Sequence, residues 1–198
     1  EKYRDTIFMS NTHGRRVNHD ILKRKGSGYI GIHGKDFMKA NQPWYRGVTQ
    51  IYGPDGGVYF SDWTDFGECH DNDGVHRTSG RIYKVVYGEV KHPGPLDLSK
   101  KTSLELVACQ LQKNDWYVRH ARRLLQERFI DGVDLTEARD ELRRLLADQD
   151  QPVDRQLRFL WALHTTGGVV EEKLTQLLRH EDEHMRSWAV RLIGEAGK

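Results

Sequence analysis

Apolar and polar positions alternate through the first half of the chain, and in the second half apolar residues recur at helical spacing. Thr6-Ile7-Phe8-Met9-Ser10 is a compact apolar run with a turn after it, and Tyr29-Ile30-Gly31-Ile32 lies between glycine-rich stretches; both predict short strands. Gly47-Val48-Thr49-Gln50-Ile51-Tyr52 runs into Gly53-Pro54-Asp55-Gly56-Gly57, which places Pro at the second position of a turn and Gly where positive φ is needed. Val58-Tyr59-Phe60-Ser61 then returns, so 47–61 predicts a hairpin. A long excursion over 62–79 leads to Arg81-Ile82-Tyr83-Lys84-Val85-Val86-Tyr87, again with strand alternation. Three successive antiparallel strands with a long loop before the last make most of a β-propeller blade.

From residue 104 the period changes. Leu104, Val107, Ala108 and Leu111 share a helical face, as do Val118, Ala121 and Leu125, and Ala138, Leu142 and Leu145. The pattern recurs at Leu157, Leu160 and Trp161, at Leu174, Leu177 and Leu178, and at Met185, Trp188, Ala189 and Leu192. Asp115, Asp150 and Asp182 stand at the starts of successive second helices, where each can cap, and an Arg of each copy can pair with a neighbouring Asp. Helix pairs at this interval, without the tetratricopeptide signature, predict HEAT-like repeats. The expected fold is therefore a β-propeller portion of antiparallel blades followed by an all-α HEAT-repeat solenoid. Residues 1–92 form the C-terminal portion of the propeller, 93–103 a linker opened by His92-Pro93-Gly94-Pro95, and 104–198 about three helix pairs.

At 198 residues the chain fits one large domain or two small ones. Thirty-one Lys and Arg against 29 Asp and Glu leave a net charge of +2, too even for a dedicated nucleic-acid binder. No apolar run is long enough to span a membrane. Two cysteines cannot build a disulfide scaffold. The chain opens on Glu1-Lys2-Tyr3 without an initiator Met or a signal segment and reads as an internal piece of a longer protein, so it says nothing about compartment.

Candidate chemistry is densest between Ser61 and Arg77. Asp62, Glu68, Cys69, Asp71 and Asp73 are the candidate metal ligands, and Asp65, His70, His76 and Arg77 the candidate cofactor or substrate contacts. An EF-hand register starting at Cys69 fails, because its twelfth position is Gly80; the alternative is a polar loop held by Asx turns and internal ion pairs. His13 and Arg16, in a loop expected over 11–20, are further candidates for an anionic cofactor or substrate, with a solvated surface loop as the alternative. Cys109 reads as a small buried residue. His180-Glu181-Asp182-Glu183-His184 matches the zincin pattern in letters only, since it spans an inter-helix turn.

Gly53-Pro54-Asp55-Gly56-Gly57-Val58-Tyr59, Asp62 and Gly80-Arg81-Ile82-Tyr83-Lys84-Val85 are similar to a blade of the soluble quinoprotein glucose/sorbosone dehydrogenases. With Pro43-Trp44-Tyr45-Arg46-Gly47 before it and helical repeats after it, the chain resembles the bacterial "membrane-bound dehydrogenase domain" proteins. The resemblance implies an exported, periplasmic or cell-surface protein that oxidises a sugar or alcohol with pyrroloquinoline quinone (PQQ) and calcium. It also implies haem in a c-type cytochrome domain of the same parent. Asp62 matches the Asp that follows the G-P-D-G strand. Where the family carries its catalytic His before that turn, this chain has Tyr45, and no C-x-x-C-H motif is present. The piece alone is therefore expected to be inactive. The alternative is a non-catalytic propeller–HEAT scaffold that binds a polysaccharide or a protein partner.

Overall fold

The computed structural model describes residues 2–64, 66, 78–89 and 92–196. They divide into two compact units, Glu1–His92 and Pro93–Lys198.

The first unit holds β1 (Thr6–Asn11), β2 (Arg16–Lys25), β3 (Gly28–His33), β4 (Met38–Lys39), β5 (Gly47–Tyr52), β6 (Val58–Asp62) and β7 (Arg81–Val85). They make two small antiparallel sheets, β1-β2-β3 with β4 also on β2, and β5-β6-β7. The expected propeller portion is corrected by this arrangement: no propeller and no closed barrel is formed among the described residues. A blade packs its face against the next blade. Here the first sheet covers its own face, with Tyr3 and Phe37 set edge-on against Phe8 at 5.4 and 5.0 Å between ring centroids. The two sheets meet through their first strands. The Thr12 hydroxyl donates to the Gly47 carbonyl at 2.8 Å, and the Gln50 amide to Ser10 Oγ at 2.9 Å.

Pairing of Phe8 with His19 and of Ser10 with Val17 puts these four residues on one face, and Val17 is fully buried there. In the second sheet Phe60 pairs with Gln50 and Tyr83, and it is buried together with Tyr45. The loop expected over 11–20 is shorter than the sequence suggests. Only residues 12–15 turn, and β2 begins at Arg16.

The second unit holds α1 (Ser103–Ala108), α2 (Asp115–Ile130), α3 (Thr136–Ala147), α4 (Val153–Thr165), α5 (Glu171–Leu177) and α6 (Glu183–Ala196). With sheets before it and helices here, the chain is a mixed α and β protein, not the propeller–HEAT combination that was expected. Helix α1 packs on α2, α3 on α4 and α5 on α6, while α4 also touches α2 and α6. Buried leucines on the helical spacing build the core, with Phe159 and Met185 fully enclosed. Of the three aspartates expected to cap, Asp182 does so and Asp115 and Asp150 do not. Asn114 caps α2, Asp182 caps α6, and α4 starts at Pro152 without a side-chain cap. An Arg158–Asp115 ion pair at 3.3 Å ties α4 to the start of α2.

Helix α4 ends in a Schellman turn, with Gly168 N–H on the Leu163 carbonyl at 2.8 Å and Gly167 N–H on the His164 carbonyl at 2.9 Å. Gly167 has φ +68°, and a Cβ there would lie 2.7 Å from the Phe129 ring. Gly167→Ala therefore meets both backbone strain and a clash. It is expected to lower the stability of the chain by about 2 kcal/mol in urea denaturation. A change under about 0.5 kcal/mol would show that the turn relaxes freely.

Candidate functional site

Asp62 ends β6 with its side chain fully enclosed. Its Oδ1 accepts the backbone N–H of Arg46 at 2.7 Å and of Thr64 at 3.0 Å. Its Oδ2 receives Arg81 Nε at 2.9 Å and lies 2.6 Å from Arg81 Nη2, so the guanidinium closes on a single carboxylate oxygen. Burial works against the charge on Asp62. The Arg46 and Thr64 amides outweigh it, with the Thr64 hydroxyl and Arg81 adding to them, and the carboxyl is held below its ordinary value.

This network fixes both stems of the donor-rich loop. Asp62 and Thr64 lead into it, and Arg81, paired across the sheet with Asp62, leads out. Arg81 also reaches Thr64 Oγ1 at 3.1 Å and Gln42 Oε1 at 3.3 Å. Arg46 Nη2 donates to the Phe66 carbonyl at 2.9 Å, while Trp44 packs against Phe66 with ring centroids 4.1 Å apart. Exposed Trp63 stands beside them.

Of the candidates read from sequence, His13, Arg16 and Asp62 are described, and the structure brings them to one end of the first unit. His13 lies in the turn from β1 to β2, and the neighbouring Thr12 is bonded to Gly47, the cross-strand partner of Asp62. Arg16 opens β2 with Nε 3.0 Å from Asn18 Oδ1 and 3.7 Å from Asp36 Oδ1. Asp65, Glu68, Cys69, His70, Asp71, Asp73, His76 and Arg77 lie outside the described residues.

Calcium does not fit at Asp62. Both of its oxygens already accept N–H groups, and a dication there would sit against the Arg81 guanidinium. Among the described residues no group of three or more His, Cys, Asp or Glu is placed to hold a metal ion. For a polycarboxylate such as PQQ, Arg16 and His13 are the side chains at this end of the unit that would have to hold it.

Tyr45, where the resemblance to the quinoprotein dehydrogenases places a catalytic His, is 1% exposed. Burial raises its phenol, the Asp62 charge raises it further, and the neighbouring Ser10 hydroxyl opposes them. A phenol kept protonated and enclosed cannot take a proton from a substrate.

Sequence reading missed Arg46, Thr64 and Gln42. Thr64 and Arg46 act largely through backbone amides, which carry no side-chain signature. Arg81 lies opposite Asp62 in the β6–β7 ladder, a register that the 47–61 hairpin does not set. In the second unit Cys109 is buried and its thiol is pushed up by burial. His180 Nδ1 accepts the Asp182 N–H at 3.0 Å ahead of α6, so the histidine pair does span a turn. No helix among the described residues is long and apolar enough to cross a membrane. No family model, no curated protein and no solved structure matches this chain.

Proposed function

We propose that the chain is part of an exported quinoprotein-type sugar or alcohol dehydrogenase, in which its first unit supplies binding contacts and not the catalytic base. One observation carries this reading: the two segments whose chemistry suggested ligand binding, the His13–Arg16 turn and the loop after Asp62, leave the sheets at the same end. The buried Asp62 network anchors the stems of that loop. Arg16 is the cation offered to a carboxylate of PQQ, and the substrate's proton is taken by a base outside these residues. The electron acceptor is the c-type cytochrome domain that the resemblance implies.

A second reading, a non-catalytic scaffold for a polysaccharide or a protein, is favoured by Tyr45, which removes the base from its expected place. Titrating the chain with PQQ and following tryptophan emission separates the two, because Trp63 is 66% exposed beside the loop stem. Saturable quenching, weakened about tenfold in Arg16→Ala, is the expected result. Absence of saturable quenching, together with retention on a polysaccharide matrix, would replace the dehydrogenase reading with the scaffold.

A further inference from the structure

The β2–β3 hairpin carries its apolar face further than the first unit covers it. Ile21 pairs with Ile32 and Lys23 with Ile30, so the three isoleucines continue the face that holds Phe8, Val17 and His19. The inner half is sealed by Tyr3 and Phe37. The outer half is bare, with Ile21, Ile30 and Ile32 at 41%, 44% and 42% exposure. Strand β3 ends the sheet, and all six of its residues are exposed.

Charge around this edge is one-sided. From Asp20 to Asp36 there are four Lys and Arg, Lys23, Arg24, Lys25 and Lys35, against those two acids. The two acids are spoken for: Asp20 by His33 at 3.0 Å, and Asp36 by Arg16, His33 and Lys39 within 4 Å. Lys23, Arg24 and Lys25 are exposed, with Arg24 over the Tyr29 ring at 5.2 Å.

Edge strands are commonly guarded by lysine on the edge itself. Here β3 reads Gly28-Tyr29-Ile30-Gly31-Ile32-His33, with no Lys or Arg, and the basic residues sit behind it on β2 and beyond it at Lys35. An uncharged edge flanked by cations draws in an anionic strand.

We propose that the outer edge of β3 accepts an extended acidic segment of a partner polypeptide as an added strand. Main-chain hydrogen bonds to β3 supply affinity, alternate apolar side chains of the partner cover Ile30 and Ile32, its carboxylates on the opposite face turn toward Arg24, and the charges of Lys23, Lys25 and Lys35 steer the acidic segment in. The surface is independent of the His13–Asp62 end and of any bound quinone.

Fluorescence anisotropy of a labelled octapeptide of alternating Glu and Val, titrated with the full chain, tests this. Saturable binding is expected. It should weaken about tenfold in Lys23→Glu/Lys25→Glu and in Ile30→Ser/Ile32→Ser, and vanish for the same peptide N-methylated along its backbone. Should the Ile variant lose its fold by circular dichroism, the Lys variant and the methylated peptide still decide. No binding of the Glu-Val peptide overturns the proposal. So does equal binding of the methylated peptide, or displacement by polyphosphate that ignores the isoleucines, since either would reduce the site to bare electrostatics.

Discussion

Asp62→Ala is expected to lower the stability of the first unit by about 3 kcal/mol, or on the order of 15 °C in its melting temperature. The carboxylate satisfies two backbone N–H groups and a guanidinium at once, so removing it strands both amides and takes the carboxylate from Arg81. Loss of a partner from a buried pair costs about 3–5 kcal/mol, and the partial exposure of Arg81 brings the expectation to the lower end. Urea denaturation read through the near-ultraviolet signal of Trp44, which packs on Phe66, checks it. A loss under about 1 kcal/mol would show that water replaces the carboxylate without penalty.

The same residue sets an acid limb. Its folded-state pKa lies below the ordinary 3.8, so Asp62 contributes stability at every pH above that value and loses the contribution as pH falls through the folded one. Asp62→Asn keeps the shape and removes the titration. Its stability deficit against wild type should be constant from neutral pH down to about 4 and shrink below it.

How much of this was legible in the sequence differs from element to element. The 47–61 hairpin was, because its turn demands specific residues: Gly53 N–H bonds to the Gly57 carbonyl at 2.8 Å, and Gly56 takes φ +80°. Strand β2 was not. Arg16-Val17-Asn18-His19-Asp20 alternates, but its inward positions are a single valine and a histidine, so partner strands and not hydrophobic periodicity specify it. The propeller expectation failed for a related reason. Three antiparallel strands in succession are a local pattern, whereas blade closure depends on which sheet faces which, and that is decided by residues such as Tyr3 and Phe37 far from the turn signals. At the site, the donor-rich stretch announced itself by composition. Its anchor did not, because backbone amides of Arg46 and Thr64 hold Asp62 and the residue types there give no hint of it.

Phe159→Ala is expected to cost about 3–5 kcal/mol and to do so in the second unit. Helix α4 is the one whose buried residues spread over a wide arc: Gln156, Leu157, Phe159, Leu160, Ala162 and Leu163 are all buried, because α2, α3 and α6 pack around it. Truncating a fully enclosed ring there removes its transfer free energy and leaves a cavity that cannot collapse. Neighbouring α4 positions are pinned, Arg158 to the Gln112 carbonyl at 2.9 Å and Trp161 against Trp188 with centroids 5.0 Å apart. The loss is a large share of what a domain of this size has, about 5–15 kcal/mol. Near-ultraviolet circular dichroism should report it early, because the Trp161–Trp188 pair reads the α4–α6 seam directly. Retention of that signal with a stability loss below about 1 kcal/mol would mean that α4 can repack around the gap, and that the stack is held by its surface stacking and arginine clamps and not by its centre.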